Sequence, residues 1–358
     1  MIRTIVASIC IAASALMWGQ ATKVLTADKS NEYGLVYSLP NTALEIEVTA
    51  LHKVEKRGPF YLYAKKSIGT DKVVTADSES WQITDLKVRP YGVPDSGTQY
   101  LMQLKPGALT YIAVDADGML LAVNRQPAPA ETAARGEAPA PAVKWPSGRE
   151  YINFVDEDFV ASQSPAKQAQ LLAESLMEVR DSKLSLTRGT ADAMPTDGKQ
   201  LELMLNSLNE QETAMTQAFT GSSTSEYVTR SFTYIPDGEG NHILFRLSDF
   251  AGFVDADDLS GDAVSIDIAI ANEAKLPADA KGEEKKLPKN AVIYNLPGSA
   301  MVTVSHLGKK LFEKEIRFAQ FGTSFGLDPN LFTDKKEPSY AVFDPVTGAL
   351  EEIGTVKN

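Results

Sequence analysis

The chain has 358 residues, with 35 Lys and Arg against 47 Asp and Glu, so its formal net charge is −12. Such a chain is a poor candidate for nucleic acid, which favours clustered basic residues through counterion release. It also lacks the basic composition that attracts proteins to anionic lipid headgroups. Three histidines and one cysteine leave little for metal binding or nucleophilic catalysis, and the length suits two domains or one elaborate domain.

The N-terminus has the pattern of a secretory signal peptide, predicted over residues 1–21. Arg3 precedes the 15 uncharged, mostly apolar residues 5–19, and small residues lead to a cleavage site after Ala21. The apolar run is shorter than the roughly 20 residues of a membrane span. Cleavage would remove Cys10 and with it any disulfide or cysteine ligand; an uncleaved anchor and lipidation at Cys10 are the alternatives. We therefore expect an exported protein, periplasmic or at the cell surface, with no membrane span in the mature chain.

Residues 33–125 are predicted to form a β-rich N-terminal domain. Apolar and polar residues alternate over 44–50 and 81–88, which is the period-2 pattern of half-buried strands. Two further apolar runs flank Asp117-Gly118, a dipeptide that favours a tight hairpin. The segment that follows, 126–150, contains twelve Pro or Ala among its 25 residues and predicts a linker or exposed loop.

Residues 151–355 are predicted to form an α+β C-terminal domain that begins with a helical hairpin over 164–220. Ser164-Pro165 has the pattern of an N-cap followed by proline in the first turn, and Asp197 resembles the start of a capping box. Glu212 interrupts the apolar stripe of the second helix. It is either a partner for a basic residue of the first helix, Arg180 or Arg188, or a glutamate at the margin of the stripe.

Strands are expected again from residue 222 onward, without the alternation of strands and helices that gives a parallel sheet. The predicted fold class is therefore α+β, with two β-rich units and a helical hairpin at the start of the second.

Two short motifs resemble catalytic signatures but lack their context. Residues 322–326 read G-x-S-x-G, the nucleophile elbow of α/β-hydrolases, yet Asp328-Pro329 follows where a helix is required and all histidines lie upstream. Ser164 and Lys167 match S-x-x-K, but no K-T-G tripeptide accompanies them. A glycine-flanked turn and a helix cap explain the two motifs better.

Candidate ligand-binding residues are few. A cluster of acidic side chains could offer oxygen ligands to calcium, although its spacing fails the EF-hand pattern; its members are Asp255, Asp257, Asp258 and Asp262. Three aromatic side chains could form a stacking platform for a glycan or a peptide, although packing is the more common role: Phe60, Tyr61 and Tyr63. The histidines show no converging pattern. No catalytic residue and no cofactor is predicted.

Several segments, in their order along the chain, are similar to those of one family. They are Tyr37-Ser38-Leu39-Pro40, Gly58-Pro59-Phe60-Tyr61, Arg188-Gly189, Met194-Pro195, Phe219-Thr220-Gly221, Phe253-Val254-Asp255 and Ala319-Gln320-Phe321-Gly322. Over residues 33–355 the chain resembles the DUF4831 family of uncharacterised exported Bacteroidetes envelope proteins. The resemblance implies an exported bacterial protein and assigns no catalytic residue.

The expected function is a non-enzymatic binding or structural module of the cell envelope, with an envelope protein or glycan as partner and no nucleic acid. One alternative is a hydrolase acting on glycan or peptidoglycan through paired carboxylates, which come from distant parts of a chain and leave no local pattern. The other is a calcium-stabilised, adhesin-like subunit.

Overall fold

The computed structural model describes residues 21–24, 34–103, 111–127, 145, 147–276, 291–334 and 337–356. The predicted signal peptide, apart from its last residue, and most of the Pro/Ala-rich segment lie outside these ranges. The α+β prediction is confirmed, and all three sheets are antiparallel. Among the described residues, no helix is long and apolar enough to cross a membrane.

The strands within the described residues are β1 (Ala21–Val24), β2 (Leu35–Lys56), β3 (Ser78–Gln103), β4 (Ile112–Val114), β5 (Leu120–Val123), β6 (Ser222–Tyr234), β7 (Gly240–Ser248), β8 (Gly252–Val254), β9 (Asp262–Asn272), β10 (Val292–His306), β11 (Lys309–Leu327), β12 (Ser339–Phe343) and β13 (Leu350–Thr355). The helices are α1 (Ala64–Ile68), α2 (Glu157–Ala161), α3 (Pro165–Arg188), α4 (Gly198–Thr220) and α5 (Asn330–Thr333), with 3₁₀ turns at Tyr61–Tyr63 and Glu150–Phe154.

The main core lies between two sheets. The first sheet has the order β1-β3-β2-β6, and the second has the order β11-β10-β9-β7-β8. The alternation predicted for residues 44–50 is present, because Ile46 and Val48 of β2 are fully buried while their polar neighbours face outward. These side chains pack against Phe245, Ile266 and Phe318 of the second sheet. Period-2 burial on both sheets therefore makes a sandwich.

The two predicted β-rich units share their sheets. β6, which follows the helical hairpin, pairs with β2 along its whole length, from Tyr234 opposite Leu44 to Ser222 opposite Lys56. The third sheet, β13-β12-β5-β4, likewise joins strands from both sides of residues 126–150. A boundary at that segment therefore does not separate two hydrophobic cores.

A buried polar network ties the three sheets together. Asn295 of β10 donates from Nδ2 to the carbonyl oxygens of Pro40 and Thr347, at 3.1 and 2.9 Å. Thr42, which is fully buried, accepts from the Ala319 amide at 3.1 Å and donates to the Val346 carbonyl. Buried amide and hydroxyl groups need such partners, so the network fixes how the sheets meet.

The helical hairpin has the predicted caps. Ser164 Oγ accepts from the Lys167 amide and Pro165 occupies the first turn of α3, while Asp197 accepts from the Gln200 amide at the start of α4. Because these side chains satisfy amides that have no partner inside the helix, they fix where each helix begins.

Glu212 of α4 is a partner for basic residues of α3. Its Oε1 lies 2.9 Å from Arg180 Nε, and its Oε2 lies 3.0 Å from Lys183 Nζ. Of the alternatives left open by the sequence, pairing with Arg180 is therefore confirmed, and Lys183, which was not predicted, is a second partner. Hydrogen bonds from Lys183 and then Arg180 hold the pKa of Glu212 below its ordinary value of 4.5.

Replacing Glu212 with Gln should lower the free energy of unfolding by about 0.5–1 kcal/mol at pH 7, since both cationic partners are partly exposed. A carboxyl with a lowered folded pKa stabilises the protein fully above its unfolded value and loses that contribution as the pH falls through the folded value. The difference between parent and variant should therefore disappear in acid, as measured by urea denaturation. Glu210→Gln, at an exposed site on the same helix, is the control; equal effects of the two substitutions would contradict a role for the ion pair.

Candidate functional site

His52 lies in a cluster of packed aromatic and acidic side chains at the end of the first sheet. Its ring stacks on Trp81, with the ring centres 4.1 Å apart and the planes 9° from parallel, and Trp145 packs at 4.5 Å. Nε2 lies 2.8 Å from Glu79 Oε1, and Nδ1 lies 3.5 Å from Glu226 Oε1. The pairing of β2 with β3 and β6 places Trp81 and Glu226 directly opposite His52.

This cluster is arranged for packing. His52 is only 8% exposed, and both ring nitrogens already face carboxylates. A general base must bring a free nitrogen within hydrogen-bond distance of a substrate proton, and here neither nitrogen is free to do so. The cluster instead fixes Trp145, from the end of the Pro/Ala-rich segment, against the first sheet.

The three predicted aromatic candidates do not share one surface. Phe60 is 4% exposed and packs in the helical core against Tyr151, Phe159 and Phe219. It is therefore not accessible for stacking on a ligand. Tyr61 and Tyr63 are partly exposed, and the guanidinium of Arg57 lies 5.1 Å from the Tyr61 ring centre.

Three of the four predicted calcium candidates lie on the loop between β8 and β9, and the fourth, Asp262, is the first residue of β9. Asp258 accepts from the Ser260 amide at 2.9 Å, and this hydrogen bond lowers the pKa of the Asp258 carboxyl. Asp255, Asp257 and Asp262 are also exposed. Within the described ranges, no group of three or more acidic, His or Cys side chains is placed to hold a metal ion. Calcium binding at this loop stays a prediction.

The two serine motifs have structural roles. Ser164 is the cap of α3 described above. Ser324 lies inside β11, which continues to Leu327, so residues 322–326 form neither a nucleophile elbow nor the glycine-flanked turn expected from the sequence. A cleft of about 280 Å³ beside Ser324 is lined by Tyr100 and Gln320, and burial raises the pKa of Tyr100. None of the histidines lines this cleft.

One end of the second sheet carries three exposed apolar side chains at the tips of its connections. They are Phe250 between β7 and β8, Leu259 between β8 and β9, and Leu307 between β10 and β11. Their exposed fractions are 79%, 82% and 72%. The strand pairing places all three connections at the same end, because Leu247 lies opposite Asp262 and His306 lies opposite Val264. We call these three residues, together with the exposed Asp249, Asp255, Asp257, Asp258 and Asp262, the apical surface.

The turn that carries Leu307 is strained. Leu307 and Gly308 have φ values of 50° and 75°, as in the two-residue hairpin turn that strongly prefers Asn-Gly. A leucine in the left-handed region costs about 1–2 kcal/mol relative to residues that adopt it readily. Since the side chain is exposed, packing does not explain the choice of leucine at this position. Strain of this kind, found at an exposed site, points to a function.

Arg246 holds the β8–β9 connection from below. Its Nε donates to the Ala256 carbonyl at 2.9 Å, and its Nη1 donates to the Gly261 carbonyl at 3.1 Å. The Asp258 amide also donates to the Asp255 carbonyl, closing a turn just before Leu259. The tip is therefore presented on an ordered loop, which reduces the entropy lost when a partner binds.

The apical surface was not among the sites predicted from sequence. Phe250 and Leu259 each stand in a polar segment, which is a weak signal for an exposed apolar tip. The clearer signal of an exposed apolar tip is Leu307-Gly308. It stands between two predicted strands, and a two-residue hairpin there requires a positive φ at a leucine. That the three tips meet at one end depends on the order of the strands in the sheet.

The comparisons with known proteins give a family but no activity. A family model described as a domain of unknown function, DUF4831, matches residues 33–351, which include β2, β3 and β6 of the first sheet, the whole second sheet and the apical surface. Neither a curated protein nor a solved structure matches the chain. From the extent of the match, the chain belongs to the DUF4831 family.

Proposed function

We propose that this protein is a non-enzymatic binding module of the bacterial cell envelope that docks through the apical surface. The observation that carries the proposal is the position of Phe250, Leu259 and Leu307 at one end of the second sheet, exposed together. Exposed apolar side chains gathered at one end of a sheet mark an interaction site more often than apolar residues scattered singly over a surface do. The signal-like pattern of residues 1–21 supports export.

The partner is a protein face with an apolar groove surrounded by Lys and Arg. Five exposed aspartates lie beside Phe250 and Leu259, whereas the exposed Lys309 and Lys310 follow Leu307; the aspartates are Asp249, Asp255, Asp257, Asp258 and Asp262. Charges around an apolar centre steer association and exclude partners of the same sign. A formal net charge of −12 acts in the same direction. The aspartates that suggested calcium from the sequence are therefore assigned to the rim of an interface.

The grooves of the fold support catalysis less well. A groove of about 990 Å³ between α1 and α3 is lined by Glu174 and Glu178, together with Lys66 and Lys167. The two glutamates are one turn apart on the same helix, so they lie side by side. A glycosidase needs its carboxyl groups on either side of the scissile bond. Binding is therefore the better supported function.

Photo-cross-linking in cells that produce the protein tests the proposal. With a benzophenone amino acid in place of Leu259, we expect one discrete adduct, and mass spectrometry should place the linked peptide beside Lys or Arg on the partner. The same amino acid in place of Leu203, which is 63% exposed on α4, is the matched control and should give no adduct. Equal, diffuse labelling from both positions, or a linked surface that is acidic, would contradict the proposal.

A further inference from the structure

β6 presents a long free edge in the part of the chain that the structure describes. It pairs with β2 through thirteen consecutive residues without a register shift, and no described strand pairs with its other side. A straight edge of this length offers a row of backbone amides and carbonyls to another strand. Natural proteins usually block such edges with lysines, prolines, bulges or buried charges.

The opposite sheet shows what a blocked edge looks like in this same molecule. β11 begins with Lys309 and Lys310, continues with Lys314, and has two register shifts against β10. β6 has neither lysine nor proline, and seven of its thirteen residues are Ser or Thr. β6 therefore lacks the lysines and register shifts that protect β11, and its inward charge, Glu226, restricts which strand can pair with it.

The two charged residues of β6 select the partner. Glu226 is directed inward to His52, and Arg230 donates to the Phe253 carbonyl and covers the Phe253 ring. A foreign strand with a carboxylate opposite Glu226 or a cation opposite Arg230 would place like charges side by side, which disfavours such a partner. Val228 is the midpoint of β6. Glu226 lies two residues before it, and Arg230 lies two residues after it.

We propose that β6 pairs with β6 of a second copy, antiparallel, on a two-fold axis through Val228. In this register Glu226 of each copy lies opposite Arg230 of the other, and Ser225 lies opposite Ser231. Residues directly opposite in an antiparallel pair are on the same face, so Glu226 of one copy and Arg230 of the other lie on one face of the joined sheet. The two first sheets then form one continuous sheet across a self-complementary interface.

A disulfide tests the register directly. In the full chain with Cys10→Ser, Val228→Cys places the two thiols on the axis, where opposing Cβ atoms are about 4.5–5.5 Å apart. We expect a disulfide-linked dimer under mild oxidation. Tyr227→Cys is the matched control, since its two thiols would be diagonal neighbours at about 7–8 Å and should link several-fold less. Equal linkage from both positions, or none from Val228→Cys, would overturn the proposal.

Charge exchange tests the selection of a second copy. Glu226→Arg and Arg230→Glu each place like charges opposite each other in a homodimer, and each should weaken self-association about tenfold or more in sedimentation equilibrium. An equimolar mixture should recover the affinity of the parent chain, because opposite charges face each other again. A parent chain that stays monomeric throughout the concentration series, or a mixture no better than either variant, would contradict pairing about Val228. If Glu226→Arg does not fold because it contacts His52, the disulfide test still decides.

Discussion

Gly322→Ala should lower the free energy of unfolding by about 3 kcal/mol or more. A Cβ atom at this position would lie 1.9 Å from the carbonyl oxygen of Leu296 and 2.8 Å from Cα of Pro297. Both contacts are with backbone, so no side chain can rotate away and β10 must separate from β11. The pair is already irregular there, with a register shift between Leu296 and Gly298. Guanidinium denaturation followed by circular dichroism measures the effect.

Two controls separate this effect from the cost of adding any methyl group. Gly198, at the start of α4, has no atom within 4 Å of the added Cβ, so Gly198→Ala should be neutral or slightly stabilising. Ser324→Ala, in the middle of the same motif, should change stability by less than about 1 kcal/mol. A Gly322→Ala variant as stable as the parent chain would show that the close approach of the two strands is not required.

Phe245→Ala should destabilise the protein by about 3–5 kcal/mol. Phe245 is 1% exposed, and its ring stacks on Phe232 of the opposite sheet at 4.2 Å, with the planes 6° apart. Removing it leaves a cavity between the two sheets of the sandwich. Phe250→Ala, five residues further along and exposed, should change stability by less than about 0.5 kcal/mol. A similar shift of the denaturation midpoint for both variants would contradict the proposed difference between core and apical surface.

Much of the fold follows from local patterns in the sequence. The alternation over 44–50 predicted which face of β2 is buried, and the caps at Ser164 and Asp197 predicted where two helices begin. These features depend on residues close together in the chain. The pairing of strands that are far apart in the chain does not depend on such local patterns. The sequence therefore did not predict that β6 joins β2. For the same reason, two separate units were predicted where the strands share sheets.

The candidate sites show the same limit. The aspartates at 255–262 stood out from the sequence because they are close together in the chain. Phe250 and Leu307 are far apart in the chain, and only the order of the strands places them at the same end of the sheet. The alternation of Ile46 and Val48 extends to His52 and places it on the buried face of β2. Its partner Trp81 depends on the register between β2 and β3. Phe60 is a core residue because α4 and α2 pack over it.

The claim that the apical surface binds a partner is tested most directly by the cross-linking yield from position 259 after Phe250 and Leu307 have both been changed. Phe250→Ser and Leu307→Asn together remove two large apolar side chains from the surface. Asn also suits the left-handed turn, so the doubly changed protein should fold at least as well as the parent at this hairpin. If the tips dock together, the yield should fall about tenfold or more, since each buried side chain of this size contributes about 1.5–3 kcal/mol. An unchanged yield would contradict the claim that these three residues form one binding surface.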